Sequence, residues 1–194
     1  MENIADHFLH RFFYPESVAL IGASGNPLRI NHHLIANLIK LGYKGRIYPI
    51  NPKEVEILGI KAYPDIKSVG EVVDLAVIAV SQTQTPGLLK ECIDKGIRRV
   101  VLVAGGFSEI GAEGRRIQGE MARLVRQSGI RTIGPNALSP INPRTGLAVS
   151  FHPLERLLTG GLSLIFQSGL YEPRLHWLFH DFNLHLNKLI DLGN

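Results

Sequence analysis

Along this 194-residue chain, short runs that are apolar at nearly every position alternate with longer stretches whose apolar residues recur every three or four positions. Residues 17–21, 45–50, 72–80, 98–103 and 131–133 lack the in-and-out alternation of a half-wet strand, so they predict strands buried on both faces, as in a parallel sheet. The second kind predicts amphipathic helices. One follows the first strand, with Leu34, Ile35, Leu38, Ile39 and Leu41 on a single face. A second runs from 81–84 through Cys92 and stops near Gly96. A third covers 111–128, with Ile117, Met121, Leu124 and Val125 inward and Gly129 as its stop. Ile4, Phe8, Leu9, Phe12 and Phe13 add an N-terminal amphipathic helix that Pro15 ends, and 54–68 reads as irregular, with an extended corner at Tyr63-Pro64.

Buried strands alternating with amphipathic helices imply an α/β fold with a doubly wound parallel sheet. Right-handed crossovers then place every strand's exit loop on one edge. From 134 to 153 the prolines Pro135, Pro140, Pro143 and Pro153 predict loop, and a domain boundary falls there. A second alternation follows: a strand over 161–166, a small-residue turn at Gln167, Ser168 and Gly169, a helix over 170–182 and a strand over 186–192. One such unit has two open sheet edges and an uncovered face, so it reads as the opening of a second α/β domain that a further segment or a partner completes.

Composition changes this picture little. With 45% hydrophobic and 20% charged residues the chain can bury a sizeable core. Its net charge of +4 is mild and scattered, which gives room for an anionic small ligand and excludes the aromatic-basic stripe of a nucleic-acid binder. The single cysteine, Cys92, has no internal partner, and no charged-then-apolar leader or membrane-length apolar run is present. The expected compartment is the cytoplasm.

The chemistry concentrates at the first strand's exit. Gly22, Ala23, Ser24, Gly25, Asn26 and Pro27 join strand to helix through small residues, with Pro27 suited to a helix's first turn, so that backbone N–H groups point outward in front of the helix's positive end. This is a phosphate-cradle pattern. A GxGxxG dinucleotide fingerprint would need glycine at Ser24 and Pro27 and an acid closing the second strand, where Asn51 and Lys53 stand. A lysine there favours a phosphorylated ribose, as in NADP or coenzyme A.

The runs SVALIGASGNP, GYKGRIYPINPK, ILGIKAYPDI, VDLAVIAV, VVLVAGGFSEIGAEG, IGPNALSPINP and IFQSG resemble, in order and spacing, the NDP-forming acyl-CoA synthetases. That family includes the ADP-forming acetate–CoA ligases and, more distantly, the succinyl-CoA synthetase α subunit. The resemblance implies that residues 1–145 form a Rossmann-like CoA-binding domain and that 146–194 begin a flavodoxin-like CoA-ligase domain. It implies that Gly22, Ser24, Gly25, Asn26 and Pro27 hold the CoA phosphates and that Lys53 lies near the 3′-phosphate. By the same resemblance the pantetheine arm lies against Ala104, Gly105, Gly106 and Phe107, Asn136 is near the thiol end, and Gln167, Ser168 and Gly169 form a second phosphoryl cradle. Asn31, Ala137 and Ser139 stand where the family usually has glycine, cysteine and glycine.

In that family an acyl phosphate and CoA give acyl-CoA through a phosphohistidine located downstream of the region present here. The eight histidines include no replacement for it. No catalytic or metal-ligating residue is therefore assigned; His176 and His180, at helical i, i+4 spacing, read as packing. The expected partners are CoA, the rest of the ligase domain and an ATP-grasp domain or subunit, with no turnover from this chain alone. A non-catalytic CoA or acyl-CoA sensor and an NADP-binding oxidoreductase module are the alternative readings.

Overall fold

A computed structural model of the chain describes residues 7–155, 157–167 and 179–194. Five parallel strands, β1 (Ser17–Ile21), β2 (Arg46–Ile50), β5 (Leu75–Ile78), β6 (Arg99–Leu102) and β7 (Arg131–Ile133), form the main sheet in the order β2-β1-β5-β6-β7. The sequence of connections reverses between β1 and β5, so their exit loops diverge and open a crevice between them. Between β2 and β5 lies a small hairpin, β3 (Glu56–Ile57) and β4 (Ile60–Lys61). The sequence pattern gave no strand there, because the turn residue Leu58 adopts a positive φ of 52°, a conformation that normally signals itself by Asn or Gly.

Apolar runs become buried strands because both faces of the sheet are covered. Val18 and Leu20 of β1, with Leu75 and Val77 of β5, pack with Leu34, Ile35 and Leu38 of α2 (His32–Lys40). Their neighbours Ala19, Ile21, Ala76 and Ile78 face the opposite core, with Leu89 and Cys92 of α3 (Thr85–Asp94) and Met121 of α4 (Ala112–Ser128). Truncating any of these leucines to alanine typically costs about 2–5 kcal/mol. A short helix, α1 (His10–Phe13), buries Phe12 into the first core. It is shorter than the predicted N-terminal helix, whose residues 1–6 lie outside the described ones.

The 134–153 stretch is more regular than its prolines suggest. Pro140 precedes and Pro143 follows β8 (Ile141–Asn142), which pairs antiparallel with β9 (Leu147–Ala148), so the prolines bound the ladder without interrupting it. β8 also pairs with β11 (Leu186–Asp191), and β11 runs parallel to β10 (Thr159–Phe166), giving a second sheet of order β10-β11-β8-β9. The buried Asn37 of α2 fastens the connecting segment: its Nδ2 donates to the Ser150 and His152 carbonyls at 3.3 and 2.8 Å, and its Oδ1 accepts from Leu154 N–H at 2.9 Å. On the small sheet Ile165 is 73% exposed, and Phe182, in the turn before β11, is 68% exposed. Among the described residues no helix is long and apolar enough to cross a membrane.

Candidate functional site

The main sheet's exit edge gathers the loops after β1, β2, β5, β6 and β7. A cleft of about 430 Å³ opens there, lined by Ile30, Asn31 and Val80 on one side and by Ala104, Gly105 and Asn136 on the other. Gly105 and Asn136 are neighbours: a Cβ built on Gly105 would stand 3.0 Å from Asn136 Oδ1, and Asn136 N–H donates to Ala104 O at 2.9 Å. Gly22 begins the first loop with φ +93° and lies so close to β5's exit that an added Cβ would meet Ala79 O at 2.6 Å. Asn31 closes the gap between the two loops. Its Nδ2 donates to Gly22 O at 2.9 Å and to Ala79 O at 2.7 Å, tying the strand exits on both sides of the crevice.

The first loop departs from its expected form in two ways. Its helix begins at His32, five residues after Pro27, with successive turns between them, because Asn26 and Asn31 direct their side chains into local and cross-loop hydrogen bonds. Its amides are also less outward than expected. Gly25 N–H meets the Glu54 carboxylate at 3.0 and 3.3 Å, Asn26 N–H donates to Ser24 Oγ at 3.2 Å, and Leu28 N–H donates to Asn26 Oδ1 at 2.9 Å. Ser24 and Asn26 thus shape the loop through their side-chain oxygens.

Across from it, Asn51 Nδ2 donates to Ala23 O and to Glu54 Oε1, both at 2.9 Å, while its Oδ1 accepts from Lys53 N–H at 2.8 Å. These contacts bring the β2 exit turn against the β1 exit loop. The exposed Lys53 ammonium makes no ion pair with a described residue. His32 Nδ1 lies 3.2 Å from Ser24 O. Partial burial, then the neighbouring His32 and His152, push the His33 imidazole below its ordinary value, so neutral His33 is favoured.

In the β6 exit loop the Gly106 and Phe107 N–H groups donate to the Glu109 carboxylate, which also accepts from Asn194 Nδ2. The Phe107 side chain is fully buried in the core, so only its backbone belongs to the loop. Gln82 Nε2, beside Gly106, is buried without a hydrogen-bond partner among the described residues. Gln167 is exposed just beyond β10, whose neighbour β11 ends against this edge: Gly134 N–H donates to Leu192 O at 3.2 Å. Ser168, Gly169 and His176 lie outside the described residues.

Four side chains that organise the edge escaped the sequence reading: Glu54, Gln82, Glu109 and Asn194. The available signal was an acid close after predicted site positions, Glu54 directly after Lys53 and Glu109 two residues after Phe107. A larger cavity of about 550 Å³ lies elsewhere, around Arg11, Tyr43, Lys44, Arg46 and Arg144. Its Arg11 is paired with Glu16 and Asp74 and its Arg46 with Glu71, which leaves less uncompensated charge for a ligand than its basic lining suggests. It also lies away from the strand exits, where ligands of open α/β sheets bind.

The exit edge thus combines a cleft walled by the small residues Ala104 and Gly105 with groups that lie outside its lining: the Gly25 amide held by Glu54, the exposed Lys53 and the buried Gln82 donor.

Residues 16–143 match the CoA binding domain family. The α subunit of Pyrococcus furiosus ADP-forming acetate–CoA ligase I is 37% identical over 191 residues, covering 96% of this chain and 41% of that protein. The ADP-forming acetate–CoA ligase of Methanocaldococcus jannaschii is 35% identical, covering 97% of this chain and 26% of that protein. The solved structure of dinucleotide-forming acetyl-coenzyme A synthetase 1 from Ca. Korarchaeum cryptofilum superposes with a TM-score of 0.90 at 32% identity, covering 96% of this chain and 40% of that one. The chain therefore spans less than half the length of each.

Proposed function

Because the chain belongs to the CoA binding domain family, we propose that it is the CoA-holding part of an ADP-forming acyl-CoA synthetase, with residues 1–145 as the CoA-binding domain. The observation that supports this reading is the cleft at the switch point between β1 and β5, where the exit segments of β5, β6 and β7 meet Ile30 and Asn31 at the end of the β1 exit loop. In this reading the loop from Gly22 to Pro27 takes the diphosphate and Lys53 the 3′-phosphate. Ala104, Gly105, Gly106 and the Phe107 backbone flank the pantetheine arm, and Asn136 stands by its thiol end. CoA supplies a thiol nucleophile for the acyl group. The chain's own residues bind and orient it: Asn31 holds the two loops at a fixed separation, and the small side chains at 104–106 let the arm approach the backbone.

Residues from 146 onward are assigned to the opening of the CoA-ligase domain, with β8 reaching across to join its sheet. Gln167, Ser168 and Gly169 serve there as a phosphoryl cradle. The remainder of that domain and an ATP-grasp domain or subunit are the partners. The exposed Ile165 of β10, with the exposed Phe182 in the turn before β11, supports a further covering layer. Free Cys92 is consistent with placement in the reducing cytoplasm.

Calorimetric titration with CoA, dephospho-CoA and NADP tests the site. CoA should bind about tenfold or more tightly than dephospho-CoA, equivalent to ~1.4 kcal/mol, and Lys53→Ala should erase that difference. Preference for NADP would refute the reading.

A further inference from the structure

The amide that a phosphate would meet at Gly25 is already engaged by a carboxylate of the chain itself. Glu54 faces Gly25 N–H with both oxygens, at 3.0 and 3.3 Å, and its Oε1 also accepts from Asn51 Nδ2 at 2.9 Å. Asn51 in turn is locked to Ala23 O, so the β2 exit turn is built to press Glu54 onto the β1 exit loop. A Cβ built on Gly25 would stand 2.6 Å from Glu54 Oε2, so glycine at this position is what lets the carboxylate come so close. A carboxylate accepting a backbone N–H in such a loop makes the same charge-assisted contact that a phosphate oxygen makes. Two anions cannot share one donor, and in a half-buried loop they repel each other more strongly than in bulk water.

Resting on the CoA reading above, we propose that Glu54 is an internal competitor for the diphosphate subsite, setting how tightly that subsite holds an anion. Any diphosphate entering the loop displaces the carboxylate from Gly25. A small anion bears the whole of that displacement on a few contacts. CoA offsets it through its further contacts, with Lys53 and along the Ala104–Gly105 wall. Glu54 thereby lowers the occupancy of the loop by simple phosphates while a coenzyme with distant anchors is retained.

The test titrates the 194-residue chain and its Glu54→Gln and Glu54→Ala variants with inorganic pyrophosphate and with CoA at fixed ionic strength. Calorimetry gives the affinity, and the Gly25 amide resonance reports the location. Glu54→Gln keeps oxygen and size while removing charge, so its thermal unfolding should stay close to that of the parent chain; it carries the test even if the alanine variant unfolds. Both ligands should bind about tenfold or more tightly to the variants, the gain in affinity expected when a charge-assisted contact no longer has to be broken. The Gly25 resonance should move on pyrophosphate addition. Unchanged or weaker binding of pyrophosphate by the variants overturns the proposal, and so does CoA that binds the parent chain and binds the variants no more tightly. Tighter pyrophosphate binding with no CoA binding to any form upholds the role of Glu54 as the loop's internal anion and sinks the CoA reading. CoA binding equally well to all three forms does the reverse.

Discussion

Asn31 offers a sharp test of how the exit edge is held, because one donor group spans two strands. Its Nδ2 gives a 2.9 Å hydrogen bond to Gly22 O and a 2.7 Å one to Ala79 O. Each such bond contributes roughly 0.5–1.5 kcal/mol net, so Asn31→Ala removes about 1–3 kcal/mol. Asn31 is half-buried and lines the cleft, so water can reach the two carbonyls, and the loss should fall near the lower half of that range. Asn31→Asp keeps the size and loses the donor: an ionised carboxylate then faces two carbonyl oxygens. The aspartate variant should therefore be less stable than the alanine variant by about 1 kcal/mol or more, although it is the smaller change in shape. Urea unfolding at pH 7 reads the order directly, with a similar m-value in all three proteins. Thermal midpoints should drop by about 2–4 °C per kcal/mol for a chain of this length. An aspartate variant as stable as the alanine variant would show that Nδ2 donation is not what joins the loops.

Other parts of the fold make equally direct predictions. Gly114 and Gly119 both lie in α4, but a Cβ on Gly114 would stand 1.8 Å from Phe107 O while one on Gly119 meets nothing within 4 Å. Gly114→Ala should destabilise by roughly 1–3 kcal/mol, and Gly119→Ala should stabilise by up to about 1 kcal/mol; equal thermal shifts would refute the close approach. Partial burial raises the Glu109 carboxyl, but hydrogen bonds from the Gly106 and Phe107 amides and Asn194 help outweigh it and hold the group below its ordinary 4.5. A depressed carboxylate stabilises the fold above the unfolded value and loses that contribution as pH falls through the folded one, so Glu109→Gln should lower the thermal midpoint at pH 7 and show a smaller further drop on going below pH 4.5. Burial, then the charge of Glu91, push the Cys92 thiol up to about 12, so a thiol reagent at pH 8 should label it only at the rate of unfolding. Rapid labelling of the folded chain would contradict its position in the core.

The five-stranded sheet was legible because its signal is local: Val18 to Ile21 and Leu75 to Ile78 are apolar at every position only if both faces are covered, and the two cores take alternate residues from each. Helix ends marked by glycine were legible for the same reason, as at Gly129, whose φ of 71° closes α4. The site's loops could be located from small residues, but not their hydrogen bonding. Gly25 and Glu54 are 29 positions apart, and their contact follows from the pairing of β1 with β2, which no window around either residue contains. Asn31 read as a departure from a usual glycine; its function as a donor to two carbonyls depends on the crevice between β1 and β5. Phe107 shows the opposite error of emphasis, since a loop position selected for its neighbourhood with Gly105 and Gly106 has its side chain in the core.

Glu54 and Glu109 solve one problem with opposite consequences. A turn rich in glycine exposes backbone N–H groups that need acceptors, and in each loop a nearby carboxylate provides them. At Gly25 the acceptor occupies the subsite proposed for a diphosphate, so its charge opposes binding. At Gly106 and Phe107 the ligand segment proposed to pass is the uncharged pantetheine arm, which gives the carboxylate no competing anion to exclude. Glu109 instead links the two sheets, because Asn194 donates to it while Asn194 N–H holds Pro135 O at 2.9 Å beside Asn136. Removing charge at Glu54 should therefore appear mainly in ligand affinity, and removing it at Glu109 mainly in stability, because only the first carboxylate sits where an anion is proposed to bind.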